Sequence, residues 1–144
     1  MELTTVLAKL SILQHLTGEE MKILATETRL VSFADGPIFK EDDFSDGLFI
    51  IRSGAAKVTK SSEFGEMEAV LNLLKSGDSF GEIGLADGLP RTATVTAMGP
   101  VECWFLSRDA FLKILQVHPR IAISMMLSLA AMVRHADQWV ARSI

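Results

Sequence analysis

Residues 79–95 read Ser79-Phe80-Gly81-Glu82-Ile83-Gly84-Leu85-Ala86-Asp87-Gly88-Leu89-Pro90-Arg91-Thr92-Ala93-Thr94-Val95. This run interrupts an otherwise regular strand rhythm, and four of its features coincide. Gly81 and Gly84 carry no side chain, so the backbone can lie close to a ligand. Ile83, Gly84 and Leu85 can open a single helical turn, whose unpaired amides favour an anion. Arg91, just before a strand, brings a planar forked cation suited to phosphate. Glu82 is an acceptor-only group, suited to a sugar hydroxyl. Anion, hydroxyl and close backbone together point to a nucleotide. The plainer alternative pairs Glu82 with Arg91 across a loop and leaves the glycines to make turns.

Outward from this run the pattern is β. Between Arg29 and Leu106 seven short runs stand out: Leu30–Phe33, Pro37–Phe39, Leu48–Ile51, Ala56–Thr59, Ala69–Leu74, Thr92–Ala97 and Val101–Leu106. Turn residues such as Asp35-Gly36, Asp46-Gly47 and Ser76-Gly77-Asp78 separate them at intervals of roughly ten, which predicts a sandwich or roll. In the sixth run Ala93, Val95 and Ala97 share one face and Thr92, Thr94 and Thr96 the other, as in a half-buried strand. Further out the period becomes helical. Val6, Leu7, Leu10 and Leu13 recur at helical spacing, and Thr17-Gly18-Glu19-Glu20 is a capping box that opens a short helix to about Thr28. Ser107 is suited to cap a helix over Arg108–Val117, and Pro119 breaks it before a last helix runs to the end. The α-β-α order makes an α+β domain.

Composition sets the outer bounds. At 144 residues the chain has the size of one domain and can bury a core without disulfides. With 49% hydrophobic and 22% charged residues it is not a disordered chain. The net charge is 14 minus 18, or -4, and no basic stripe marks a nucleic-acid binder. The lone Cys103 excludes an intrachain disulfide and fits a reducing compartment. The longest uncharged apolar stretch, Ile121 to Val133, is thirteen residues, where a membrane span needs about 20. No signal peptide precedes the first helix, so the expectation is a soluble, cytoplasmic protein without a membrane partner.

Other candidates give way to simpler readings. Glu41-Asp42-Asp43-Phe44-Ser45-Asp46-Gly47 is acidic but fails the EF-hand spacing, and reads as a solvated turn. His15, His118 and His135 are scattered, so no metal site is expected. Cys103 alternates with Val101 and Phe105, as a buried strand thiol does. No nucleophile has a base beside it by motif, so the expectation is no catalytic residue, no metal, no cofactor and no enzyme. In the last helix Ala122, Met126, Leu129, Val133, Ala136 and Val140 repeat at spacings of 4, 3, 4, 3 and 4, a heptad seam. Ile121, Met125, Met132 and Trp139 run beside it, so two adjacent faces are apolar. Either the core stripe is wide, or one face covers a ligand and the other meets a second chain.

Phe80-Gly81-Glu82-Ile83-Gly84-Leu85 followed by Pro90-Arg91-Thr92-Ala93-Thr94-Val95 resembles the phosphate-binding cassette of cyclic-nucleotide-binding domains. These occur in catabolite-activator-type regulators, the regulatory subunit of cAMP-dependent protein kinase, and cyclic-nucleotide-gated channels. The resemblance extends through Glu41–Gly54 and Lys75–Phe80. It implies a single domain over 1–144: N-terminal helices at 1–28, an antiparallel, jelly-roll-like β-roll at 29–106 with its cassette at 80–95, and two C-terminal helices at 107–144. Carried over, Arg91 would hold the exocyclic phosphate oxygens and Glu82 would accept from the ribose 2′-hydroxyl. Gly81, Ile83, Gly84, Thr92 and Ala93 would line phosphate and ribose. Val58 and Leu71 fall where the family packs the base. The resemblance also supports a homodimer through Ala122, Met126, Leu129, Val133, Ala136 and Val140. One departure is Asp42, where the family usually has glycine. Aspartate can adopt the left-handed conformation at some cost.

The resemblance implies a sensor whose ligand is cAMP or cGMP. The chain ends at Ile144 without a helix-turn-helix segment, so it would act through an effector protein or be the excised sensor of a longer chain. A ligand-free interaction module that kept the fold is the rival, and it predicts decay of Glu82 and Arg91, both of which are intact. Thr92 resembles cGMP-dependent kinases in its place after the arginine, although cAMP-responsive channels and bacterial sensors also carry threonine there, and Asp137 on the last helix either accepts from guanine or is a solvated charge beside Arg134. Bacterial-style sensors of this type mostly answer to cAMP, which makes cAMP the expectation and cGMP the alternative.

Overall fold

The computed structural model describes residues 2–44, 46–61 and 67–143, with side chains as far as Ala136. The chain forms two compact units, one from residues 28–110 and one from residues 1–27 with 111–144. The first contains all eight described strands: β1 (Arg29–Phe33), β2 (Gly36–Phe39), β3 (Gly47–Ser53), β4 (Ala56–Ser61), β5 (Glu68–Leu74), β6 (Ser79–Phe80), β7 (Thr94–Ala97) and β8 (Val101–Ser107). They make two antiparallel four-stranded sheets, ordered β1-β8-β3-β6 and β2-β7-β4-β5. This is the antiparallel roll the sequence predicts, with one strand more than the seven runs. The extra one, β6, is two residues long, too short to carry a period, and exists through its pairing with Phe49 and Ile50 of β3.

Strand content follows from side-chain chemistry. β8 is buried from Val101 through Leu106 apart from the half-buried Glu102, so it lies inside its sheet between β1 and β3. β7 alternates, with Val95 and Ala97 buried and Thr94 and Thr96 half-exposed, as the sixth run requires. A cluster of phenylalanines fills the space between the sheets. Phe49 stacks on Phe80 at 5.0 Å and lies 4.6 Å from Phe105, and Phe39 is 5.6 Å from Phe80. Burying each such ring stabilises the fold by roughly 1.5–3 kcal/mol. Cys103 is fully buried in the same cluster. Burial, and secondarily the neighbouring Glu102 carboxylate, raises its thiol to about 11.

The second unit is helical. α1 (Leu3–Leu7), a 3-10 turn (Ser11–Leu13) and α2 (Gly18–Glu27) precede the roll in sequence. The roll itself carries one short helix, α3 (Glu82–Asp87), and α4 (Arg108–Val117) and α5 (Pro119–Ser143) follow it. The spacing of Val6, Leu7, Leu10 and Leu13 correctly marks buried residues, but not one continuous helix. The amides of Lys9 and Leu10 bond three residues back, and Leu10 is extended at ψ 129. The capping box forms as read: Thr17 N–H donates to Glu20 Oε1 at 2.9 Å, and Glu20 N–H to Thr17 Oγ1 at 3.2 Å. Ser107 Oγ accepts from Ala110 N–H at 3.1 Å, so it caps α4. α5 packs on the 3-10 turn. There Ser128, fully buried, accepts from His15 N–H at 3.1 Å and donates to the Ser124 carbonyl at 3.2 Å. No single helix among the described residues is long and apolar enough to cross a membrane.

Candidate functional site

The decisive run folds as one bend of the roll. β6 delivers Phe80 into the core, and Gly81 turns the chain at φ 85 into α3. That turn needs glycine twice over. Its φ is left-handed, and a Cβ would stand 2.3 Å from Arg91 Nη1 and 2.6 Å from the Gly47 carbonyl. Glu82, the first residue of α3, is half-buried and accepts from the Ser79 hydroxyl. Ile83 is 53% exposed, while Leu85 is fully buried and anchors the helix to the roll. Gly84 lies in mid-helix, and its carbonyl accepts from Gly88 N–H at 2.9 Å.

Arg91 is the one charged residue the described part of the roll buries, at 5% exposure. Its backbone is clamped: Arg91 N–H donates to the Asp43 carbonyl at 2.7 Å, and Asp42 N–H to the Arg91 carbonyl at 2.8 Å. Its guanidinium lies 4.2 Å from the centre of the Phe39 ring, a cation–π contact worth about 2 kcal/mol when water is excluded. Nη2 donates to Asp46 Oδ1 at 2.7 Å and to the Gly47 carbonyl at 2.9 Å. Nε is buried without a protein partner. A guanidinium has five donors, so this one is held in place yet unsaturated, a state that suits an anion with several oxygens.

The structure corrects one reading and extends another. The acidic turn at 41–47 is more than solvated: it supplies both backbone partners of Arg91 and the Asp46 carboxylate. Asp42 takes φ 72, the left-handed conformation expected where glycine is usual, and it is the one non-glycine residue with positive φ among those described. Glu82 and Arg91 do not pair with each other, so the plainer alternative does not hold. Among the described residues no cluster of metal-ligating side chains occurs.

Sequence reading missed Phe39, Phe49 and Asp46 as neighbours of the guanidinium. The only signal for Asp46 was its charge in a turn, and a ring beneath a cation has none. The remaining candidates sit apart from this buried end. Thr92 is exposed and Ala93 half-buried, both before β7 begins. Val58 on β4 is half-buried and faces Asn72 across the ladder. Leu71 is 58% exposed and falls at the register shift between β4 and β5. Asp137, Trp139 and Val140 lie outside the residues whose side chains are described. Of the seam, Met126 and Val133 are 60% and 61% exposed, Ala122 and Ala136 are exposed and Leu129 is half-buried, while the adjacent Ile121 and Met125 are buried.

An antiparallel roll thus holds a short helix and a buried arginine in one bend. The chain belongs to the cyclic nucleotide-binding domain family, whose profile matches residues 33–118. It is 34% identical over 120 residues to the HTH-type transcriptional regulator Cmr of Mycobacterium tuberculosis, covering 83% of this chain and 48% of that protein. It is 36% identical over 110 residues to a cAMP-dependent protein kinase regulatory subunit of Mucor circinelloides, covering 76% of this chain and 25% of that one. The chain thus spans about half or less of the length of these relatives. Among solved structures it resembles the N-terminal domain of a transcriptional regulator from Streptomyces coelicolor, with a TM-score of 0.82, 28% identity, and 92% and 95% of the two chains covered.

Proposed function

We propose that the chain is a non-catalytic sensor that binds a 3′,5′-cyclic nucleotide, cAMP by preference, in the bend between Gly81 and Ala93. The observation that carries this reading is Arg91: buried, clamped through its backbone, seated on Phe39, with its Nη1 beside the Gly81 turn and its Nε left without a protein partner. A cyclic phosphate would take the spare donors, and Glu82 would accept from the ribose 2′-hydroxyl. The half-buried Val58 and exposed Leu71 would pack against the base. A relative named as a regulatory subunit of cAMP-dependent kinase supports cAMP over cGMP. Ligand binding would reposition α5 toward an effector protein. The exposed Met126 and Val133 support a second copy of this chain as the first partner of that helix.

Calorimetry tests the first half. One cyclic nucleotide should bind per chain, with cAMP ahead of cGMP. Binding of neither at hundreds of micromolar overturns the reading, and a preference for cGMP moves it to that ligand. Light scattering tests the second half. Wild type should be a dimer, and the double variant Leu129→Glu, Val133→Glu a monomer, because paired carboxylates cannot be buried in an apolar seam. A monomeric wild type removes the dimer.

A further inference from the structure

Helix α3 has only six residues, and helices this short do not hold themselves in water. Its N-terminal end has no side-chain cap. Buried Leu85 anchors its middle, and its C-terminal end has a hold of its own. There Gly88 takes φ 66 and donates its N–H to the Gly84 carbonyl at 2.9 Å, an αL cap. The guanidinium of Arg108, the first residue after β8, lies directly on this cap. Nη2 donates to the Ala86 carbonyl at 3.3 Å, and a Cβ on Gly88 would stand 2.8 Å from both Cζ and Nε. A cation at the last carbonyls of a helix is also favoured by the helix dipole.

The same residue reaches the opposite wall of the site. Arg108 N–H donates to the Asp46 carbonyl at 2.8 Å, and Asp46 is the residue whose carboxylate accepts from Arg91. The backbone of one residue thus holds the loop that carries the arginine's counter-ion, while its side chain holds the helix that carries Glu82. A cleft of about 460 Å³ lined by Phe44, Asp46, Gly88, Phe105 and Arg108 opens beside the guanidinium, so close packing on every side is not what fixes it.

We infer that Arg108 is a positioning residue of the cyclic-nucleotide site, its side chain acting through the C-terminal end of α3 and touching no ligand. The inference rests on the reading of residues 80–95 as the ligand cassette. Loss of its side chain lets α3 shift or fray, and Glu82 and Gly81 lose their place relative to Arg91.

The test compares wild type, Arg108→Ala, Arg108→Lys, Gly88→Ala and the double variant Gly88→Ala, Arg108→Ala in the full chain. Two quantities are read: amide hydrogen exchange, and cAMP affinity by calorimetry. In Arg108→Ala the amides of Leu85 and Gly88 should exchange about tenfold faster, the scale of one hydrogen bond to a charged group, while those of β3 and β8 keep their rates. Affinity for cAMP should fall by a similar factor. Arg108→Lys should restore part of the protection, since an ammonium can reach the Ala86 carbonyl but cannot lie flat on Gly88. Gly88→Ala should do more harm with Arg108 present than without it, because only then does its methyl strike a guanidinium. Unchanged exchange at Leu85 and Gly88 overturns the inference, and so does acceleration spread evenly over the roll, which would mark a merely structural residue. Should Arg108→Ala fail to fold, the lysine variant and the glycine pair read the same coupling. If wild type binds no cyclic nucleotide, the functional reading fails while exchange still decides whether Arg108 holds α3.

Discussion

The two ends of the candidate site are built differently. At the anion end Arg91 is buried, bonded through its own N–H and carbonyl, and seated on a half-buried ring that packs against the core. At the base end Leu71 is 58% exposed at a register shift, and Thr92 is exposed before its strand begins. Cyclic nucleotides share phosphate and ribose and differ only in the base. On the proposed reading, the fold therefore preorganises the part of the site that would meet what is common to the ligands. It leaves open the part that would tell them apart. Affinity should accordingly reside in the roll, and selectivity in whatever comes to cover the base.

The largest effect expected from this contrast is that of Arg91→Ala. Truncating one partner of a buried charge pair costs at least about 2 kcal/mol, or roughly thirtyfold in affinity. Arg91→Lys should recover little of it, because an ammonium cannot lie on Phe39 and donate in a fork at once. Calorimetry at fixed salt reads both. If Arg91→Ala binds within threefold of wild type, affinity does not reside at the buried end and the contrast collapses.

The contrast also explains what was legible in the sequence. Gly81, Glu82 and Arg91 stood out as candidates because they lie in one continuous run, and because glycine, glutamate and arginine have few reasons to coincide there. The strands were readable because alternation and turn residues are local. What was not legible depends on chain segments far apart. Asp46 reaches Arg91 across 45 positions, and Phe39 lies beneath the guanidinium only once β2 has paired with β7. β6 exists through its partner strand. The break between α1 and the 3-10 turn was hidden because burial and helical spacing agree there, while the hydrogen bonds change from one type to another.

The core beneath the anion end has its own signature. Cys103 is fully buried beside the phenylalanines, and its thiol is raised to about 11 from 9.0 by burial first and Glu102 second. The folded state therefore keeps a proton that the unfolded chain gives up more readily. By linkage, the resulting contribution is present in full below pH about 9 and is lost as the pH rises towards 11. Denaturant midpoints between pH 8 and 11 should show that loss in wild type and a smaller one in Cys103→Ala. Alkylation at pH 8 should be slow until the protein unfolds. Fast labelling of the native chain would mean that the core is open to solvent.

Glu82→Gln probes the middle of the site and should cost about 1 kcal/mol, less than the arginine. An amide oxygen still accepts one hydrogen bond, but without the charge that roughly doubles its strength. The variant should also narrow the gap in affinity between cAMP and its 2′-deoxy analogue, since that hydroxyl is what the carboxylate would read. If the gap keeps its full width in Glu82→Gln, the ribose contact lies elsewhere, and the Ser79 hydroxyl that Glu82 now accepts from is the first place to look.

The smallest effect expected is at the open end. Thr92 follows Arg91 directly, is exposed, and lies before the first residue of β7. Its hydroxyl would be free to accept from guanine N2 if the base turned towards it, whereas adenine offers nothing there to accept. Thr92→Ala should therefore leave cAMP affinity within about 0.5 kcal/mol of wild type, the range of exposed substitutions, and weaken cGMP by one hydrogen bond, about 1 kcal/mol. Competition titrations with both nucleotides in both proteins read the difference directly. A wild type that prefers cGMP tenfold, about 1.4 kcal/mol, and loses that preference in Thr92→Ala would assign selectivity to the roll itself. The division of labour between the two ends would then be wrong, because a residue adjacent to the phosphate arginine would be choosing the base. Equal loss for both nucleotides would instead make Thr92 part of the anion end, reached through its backbone neighbour rather than through its hydroxyl.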